Sequence, residues 1–129
     1  MTGADFLRSF NVASVYGGDV TRSLLFASPE EPDKHVIRVA YAEVQPGRAG
    51  QLHYHPDTIE VYFVIDGKGH VEVDGERIEL APSVCIQIPC RTNHRICSSG
   101  SAPLRYLAIH IADHDYVGPV YHIAPGEIL

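Results

Sequence analysis

Short apolar runs separated by turn residues occupy most of the chain between residues 35 and 112. The runs are rich in Val, Ile, Tyr and Phe, and alternation with polar residues indicates strands that turn one face to a core. They recur every 8–12 residues between Gly and Pro, which is typical of an all-β sandwich or barrel. Helical periodicity is weak, and a short helix is allowed only near residues 3–10. The predicted strands cover residues 36–44, 60–65, 70–73, 77–80, 84–88 and 104–111.

Two dipeptides give the most specific turn predictions. Asp74-Gly75 lies between two alternating runs, and Asp-Gly is among the strongest short hairpin signals. Pro46-Gly47 ends the first long run. Gly and Pro together make up 20 of 129 residues, so many turns and few long helices are expected.

Composition narrows the class of protein. A chain of 129 residues is close to the commonest size of one domain. The net charge is −6, and no basic cluster is present that would favour nucleic acid as a partner. No apolar run is long enough for a membrane span, and residues 1–12 do not resemble a signal peptide. We therefore expect a cytoplasmic protein with neither nucleic-acid nor membrane partners.

Four side chains form the candidate chemistry of the chain. His53 and His55 stand two residues apart, so on a strand they point to the same face. Pro56-Asp57 then breaks the strand, and an antiparallel return could bring Glu60 back to the same point. His94 supplies a third imidazole from later in the chain. Three imidazoles and one carboxylate suit zinc, iron, manganese, nickel or copper.

The His-x-His pair alone would be weak support for a metal site. Two histidines on one strand face also occur on a solvated polar surface, where they bind nothing. The carboxylate at a fixed distance and the later Pro-x-x-x-x-His segment favour the metal interpretation. A set of four protein ligands also leaves coordination positions for water or substrate, as a catalytic ion requires.

These residues resemble the first sequence motif of the cupin superfamily. Gly47 is followed after five residues by His53-x-His55, after four more by Glu60, and after six more by Gly67. The resemblance covers residues 35–112. It implies a double-stranded β-helix, the jelly-roll cupin barrel, with one cavity. In it, Gly47 and Gly67 would be turn residues.

The second cupin motif is only partly matched. Pro89 and His94 fit its Pro-x-Gly-x-x-His core. Arg91 stands where the family usually has Gly, and Ser98 where Asn is usual. Ser83-Val84 replaces the usual Gly-Asp turn. These departures affect the loop at residues 90–93 and leave the candidate ligand His94 in place.

The resemblance implies a definite organisation and ligand set. We expect a single domain over residues 1–129, with a barrel core at about residues 35–112. An N-terminal arm (1–34) and an irregular C-terminal tail (113–129) would flank it. By position, His53, His55, Glu60 and His94 correspond to the ligands of one divalent ion per chain, which could be Zn, Fe, Mn or Ni.

Further residues are candidates for the cavity around such an ion. Gln51 lies two residues before His53, and Tyr62 lies two residues after Glu60. On a strand, each pair would point to one face, so both Gln51 and Tyr62 could face a substrate. His110 lies in the last long run and would act on protons or support a ligand if its face is inward. Arg48 and Arg91 flank the motifs and could bind an anionic group. Each of these also has a plainer interpretation as a core, rim or solvated side chain.

Three functions remain open from the sequence. The first is a metal-dependent enzyme with Lewis-acid isomerase, lyase or cyclase chemistry on a small oxygenated metabolite, as in biosynthesis. The second is a non-haem dioxygenase acting on a diol or enol substrate. The third is a non-catalytic cupin that binds a small ligand. A homodimer is expected in each case, because residues 1–24 carry apolar side chains that a small barrel would not bury alone.

Overall fold

In the part of the chain that the computed structural model describes, the regular structure consists of β-strands. The structure describes residues 14–15, 18–27, 36–112 and 122–123, with side chains at residues 18–21 and 38–112. Within these ranges there are strands and turns and no helix, hence none that could cross a membrane. The strands are β1 (Ser14–Val15), β2 (Val20–Ala27), β3 (Val36–Val44), β4 (His53–Tyr54), β5 (Thr58–Asp66), β6 (Gly69–Val73), β7 (Glu76–Leu80), β8 (Cys85–Ile88), β9 (His94–Ser98), β10 (Leu104–Ala112) and β11 (His122–Ile123).

The strands form two antiparallel sheets. One has six strands in the order β1-β2-β3-β10-β5-β8, and the other has five in the order β11-β4-β9-β6-β7. The main core cluster draws side chains from both sheets, including Val44 and Val64 from the first and Val71 and Ile96 from the second. The core therefore lies between the sheets, and the predicted all-β jelly roll is confirmed.

Alternation along the long strands sorts side chains between the core and the outside. In β5, Thr58, Glu60, Tyr62 and Val64 are buried while the residues between them are half-buried or exposed. Strand β10 repeats the pattern with every second residue buried, from Leu104 to His110. Because side chains alternate between strand faces, the same rule that builds the core also turns Glu60 and His110 inward.

Two turns show why particular residues were predictable. Asp74 and Gly75 both have positive φ, 47° and 83°, as a type I′ hairpin requires, and they join β6 to β7. Gly67 has φ +85°, and a Cβ there would meet the backbone of Pro103 and Leu104. Glycine at residue 67 therefore satisfies both a left-handed backbone and a close approach.

The departures from the second motif keep the backbone that glycine would favour. Ser83 has φ +71° and Arg91 has φ +58°, although a non-glycine residue loses about 1–2 kcal/mol in that region. Ser83 is held by its N–H, which donates to the Val64 carbonyl at 2.8 Å. The loops thus retain their shape at the cost of local strain.

Replacing Ser83 with Gly is expected to stabilise the protein by about 0.5–1 kcal/mol, since the left-handed strain exceeds the added chain entropy of glycine. Thermal melting should show a rise in Tm of about 2–5 °C. Ser83→Ala is the control, because it keeps the Cβ and should gain nothing. A lower Tm for Ser83→Gly would contradict the interpretation of strain.

Several expectations concern segments outside the main described range. Strand β2 lies in the segment predicted as an arm and pairs with β3, and β11 lies in the predicted irregular tail and pairs with β4. Neither strand was predicted. The short helix near residues 3–10, the apolar side chains of residues 1–15 and the side chains of residues 113–129 lie outside the described residues.

Candidate metal centre

The four candidate ligands come together inside the barrel. His53 lies on β4, His55 directly after it, Glu60 on β5 and His94 at the start of β9. All four are buried, with His94 only 1% exposed. One donor atom from each lies within 4.8 Å of the others. A cluster predicted from four separate sequence positions is thus a single site in space.

The route by which Glu60 reaches the histidines differs from the expected antiparallel return. Strand β4 belongs to the five-stranded sheet, whereas β5 belongs to the six-stranded sheet. Pro56 and the buried Asp57 carry the chain from one sheet to the other. Glu60 therefore faces the histidines across the core, and the site lies between the two sheets.

Backbone carbonyls fix the ring orientation of two of the histidines. His53 Nδ1 lies 2.6 Å from the Gln51 carbonyl oxygen, and His94 Nδ1 lies 2.9 Å from that of Thr92. A carbonyl oxygen only accepts, so each Nδ1 carries the hydrogen and donates it. The Nε2 atom of each ring is then the one left for a ligand role.

The protonation states of the site follow from burial and from Glu60. Burial and the neighbouring His94 lower the pKa of His53 to about 3, so this imidazole is neutral at physiological pH. Burial raises the pKa of Glu60, but His110 and His94 outweigh it and hold that pKa well below its usual range. Burial lowers the pKa of His94. The hydrogen bond between His94 and Glu60, at 2.8 Å, outweighs burial, so the pKa of His94 is raised.

The donor set fits a divalent ion. Metal ligation needs neutral imidazoles and an ionised carboxylate, and His53 and Glu60 have those states. Two ligands at about 2.1 Å from one ion stand at most about 4.2 Å apart, so the observed spread of up to 4.8 Å requires only small side-chain shifts. His55 Nε2 is 4.0 Å from Glu60 Oε1, which already lies within that limit.

The other predicted cavity residues also face the interior. Gln51, Tyr62 and His110 are 8%, 3% and 4% exposed, and all three line the same cavity. The Tyr62 ring makes an edge contact with Tyr106 at 5.0 Å between centroids and lies 6.2 Å from His94. His110 Nε2 is hydrogen-bonded to Glu60 Oε2. The inward orientation that was open for these three residues is present in the structure, and their roles stay predictions.

The cavity lies beside the cluster, and the space within it and its opening amounts to about 480 Å³. Small apolar residues make one wall, and His53, Glu60 and His110 supply the polar end. The arrangement can bind a small molecule against a metal ion.

The two loop arginines do not line this cavity. Arg48 and Arg91 are exposed. Arg91 instead joins the two motif loops: its N–H donates to the His55 carbonyl, and Nη1 donates to the Pro56 carbonyl at 2.9 Å. Ser98 is buried, and its N–H donates to the Arg48 carbonyl at 2.9 Å. Neither Arg48 nor Arg91 is therefore among the described residues that line this cavity, and binding of an anionic group by either stays a prediction.

A different arginine lines the cavity and was missed. Arg38 is half-buried and belongs to the cavity wall. Its parity is that of Ala40, Ala42 and Val44, which are all buried. A charged residue in the inward-facing row of a strand is a sequence signal that could have identified it.

A second cluster of possible metal ligands lies elsewhere in the described part of the chain. His70, Glu72 and Cys97 are half-buried, with donor atoms within 4.8 Å of one another. Glu72 Oε2, however, accepts two hydrogen bonds from Arg95, at 3.1 and 2.9 Å. That cluster is explained by an ion pair. All three cysteines lie in the described part, and none is in a disulfide.

The fold and the site define a class: a jelly-roll domain with a candidate mononuclear metal centre in its interior. The family model described as "Cupin domain" matches residues 40–110. The chain belongs to the cupin domain family, as the resemblance implied. The matched segment includes the four candidate ligands and His110 and excludes Arg38.

Comparison with individual proteins agrees with this membership. The chain is 31% identical over 107 residues to a glucose-6-phosphate isomerase of Thermococcus kodakarensis, which covers 71% of this chain and 57% of that protein. A cupin-2 domain structure from Rhodospirillum rubrum superimposes with a TM-score of 0.71 at 21% identity, covering 91% of this chain and 76% of that one. A polyketide cyclase of Streptomyces resistomycificus gives a TM-score of 0.69 at 19% identity, with 88% and 79% covered.

The three similarities support different conclusions about the fold and the activity of this chain. The two solved structures show the fold alone, because one fold carries many functions. The chain spans little more than half of the length of the isomerase. The activity of that relative is therefore a property of a longer protein.

Proposed function

We propose that the chain is a metal-dependent enzyme that isomerises a small polyhydroxylated carbonyl compound without net oxidation. The observation that carries the proposal is the buried cluster of three histidines and Glu60 at the polar end of a cavity. The isomerase relative supports the reaction class. Lyase and cyclase reactions use the same activation and are the nearest variants of the proposal.

The centre would be held by His53, His55, Glu60 and His94. A divalent ion bound there supplies Lewis acidity toward a carbonyl or enediol oxygen. The chain's own task at this point is to keep the donors in place. The Gln51 and Thr92 carbonyls do so for two of the rings, and such supporting partners affect metal affinity by about 10–100-fold.

Isomerisation through an enediol also needs a group that moves a proton between neighbouring carbons, and His110 is the best placed. Glu60 is ionised and can only accept, so His110 Nε2 donates to it. In a neutral His110 the lone pair is then on Nδ1, which is the atom that can take up a proton. The Tyr62 hydroxyl in the same cavity can donate to or accept from a substrate oxygen.

The remaining cavity wall limits access of water. Val20, Ala40, Ala42, Ile96 and Ala108 contribute apolar surface beside the polar end. A low-polarity wall strengthens the electrostatic interactions of His110 and Glu60 and disfavours side reactions of an enediol with solvent.

A metal analysis combined with a proton-exchange assay tests the proposal. The protein is purified without added metal, its metal content is measured, and aldoses and ketoses are incubated with it in D₂O and followed by ¹H NMR. We expect one divalent ion per chain and deuterium incorporation with aldose–ketose conversion.

Other results would select the competing functions. Stoichiometric iron with O₂ consumption on a panel of diols would replace the isomerase with the dioxygenase, whereas zinc would remove the dioxygenase. The absence of metal under every condition would contradict both enzymes and leave binding of a small ligand.

The proposal includes a homodimer. Phe63 and Ile65 stand on the outer face of β5 and are 39% and 45% exposed, and association would remove such apolar surface from water. Sedimentation equilibrium should give twice the chain mass of 14.2 kDa. A monomer at micromolar concentration would contradict this prediction.

A further inference from the structure

Arg38 has an unusual position for a charged side chain. It lies in the inward row of β3, next to the buried Ala40 and Ala42, and lines the cavity that contains Glu60 and His110. A cation in a largely apolar wall is unfavourable unless an opposite charge accompanies it.

No protein group accompanies Arg38 within the described part of the chain. Among the described residues that line the cavity, Glu60 is the only one with an acidic side chain. Its Oε1 is bonded to His94 and its Oε2 to His110. Arg38 therefore lines the cavity without a counter-charge from the other described residues that line it.

The register of the six-stranded sheet sets the distance between Arg38 and the candidate metal centre. Arg38 is the partner of His110 across β3 and β10, and His110 is the partner of Glu60 across β10 and β5. The three residues share one face and form a row. With strands about 4.8 Å apart, the backbones of Arg38 and Glu60 are separated by about 10 Å.

We propose that Arg38 is the anion-binding residue of the cavity and that the substrate carries a phosphate or carboxylate group. This rests on the proposed function, which places the oxygens of the reacting carbons at the metal end. The separation requires the anionic group to be several bonds away from them. The fork of the guanidinium group matches two oxygens of either anion.

Binding measurements on the metal-loaded protein test this inference. The probes are glucose, glucose 6-phosphate and glucuronate, which differ only at the sixth carbon, and affinities are measured by isothermal titration calorimetry. A charge-assisted hydrogen bond changes affinity by roughly tenfold or more. We expect at least one charged probe to bind about tenfold more tightly than glucose, and the better of the two identifies the anion.

Variants then assign the preference to Arg38. Arg38→Gln should reduce binding of the charged probe to the level of glucose, while Arg38→Lys should keep part of the preference because it keeps the charge. Arg48→Gln is the matched control, since Arg48 is exposed in a loop, and it should behave as the wild type. Equal metal content and Tm in all variants confirm that the site and fold are intact.

Two results would overturn the inference. One is equal binding of glucose and both charged probes by the wild-type protein. The other is an anion preference that survives in Arg38→Gln. Failure of the proposed isomerase is a separate outcome: an Arg38-dependent preference without aldose–ketose conversion would retain the anion site and remove the reaction.

Discussion

Replacing Glu60 with Gln is expected to lower the affinity for a divalent ion by at least about 100-fold, because loss of a supporting partner alone costs 10–100-fold. The substitution keeps the shape of the side chain but removes the negative charge and one of the two oxygens that accept from His94 and His110. His94→Ala should have an effect of similar size, since it removes one donor from the cluster. Metal content and chelator competition measure both.

The matched control is Glu72→Gln. Glu72 is also a glutamate on an inner strand of a sheet, but it pairs with Arg95 and belongs to no cavity wall described above. This variant should retain metal as the wild type does. Circular dichroism should show that Glu60→Gln and His94→Ala remain folded. Full retention of metal in either of them would show that the ligand set is wrong.

The long strands were predictable because their side-chain pattern is local. The runs at residues 36–44 and 104–111 correspond closely to β3 and β10, since Val, Ile and Tyr alternate there with polar residues. The Asp74-Gly75 turn was predictable because few dipeptides accept two successive positive φ angles. Strand β9 was not predicted, because the segment begins with the polar residues Asn93, His94 and Arg95. Its alternate side chains are nevertheless buried, because other elements cover them.

The convergence of the four candidate ligands was predictable from spacing, but its geometry was not. The sequence places His53 and His55 on one face, and this is local information. Which sheet receives β5 depends on pairing with β10 and β8, and these contacts are distant in the chain. The antiparallel return expected for Glu60 therefore proved wrong, although the predicted convergence is present.

Arg38 is a second example of a residue whose place in the site depends on contacts that are distant in the chain. The loop arginines were chosen because they stand near the motifs in sequence. Arg38 stands fifteen residues before His53, yet β3 and β10 place it beside His110. Proximity in a sheet is set by strand order, so a residue outside the motifs can contribute to the site.

Replacing His110 with Gln is expected to reduce turnover by about 10²–10⁴-fold, the usual contribution of a proton-transferring side chain. Gln has N–H groups that can donate to Glu60 but no basic nitrogen. Metal affinity and KM should therefore change much less than kcat. The measurement is the rate of conversion, and of deuterium uptake, for the sugar that the exchange assay identifies.

Comparison of two His110 variants separates proton transfer from simple support of Glu60. If His110 only holds the carboxylate, His110→Gln should keep activity and His110→Ala should lose it together with metal. If His110 carries the proton, both variants lose activity, and His110→Gln does so with its metal retained. His70→Gln is the control, because His70 lies on β6 outside the cavity lining. Wild-type turnover in His110→Gln would contradict a proton-transfer role, since the proton would then have to move through another group such as the Tyr62 hydroxyl.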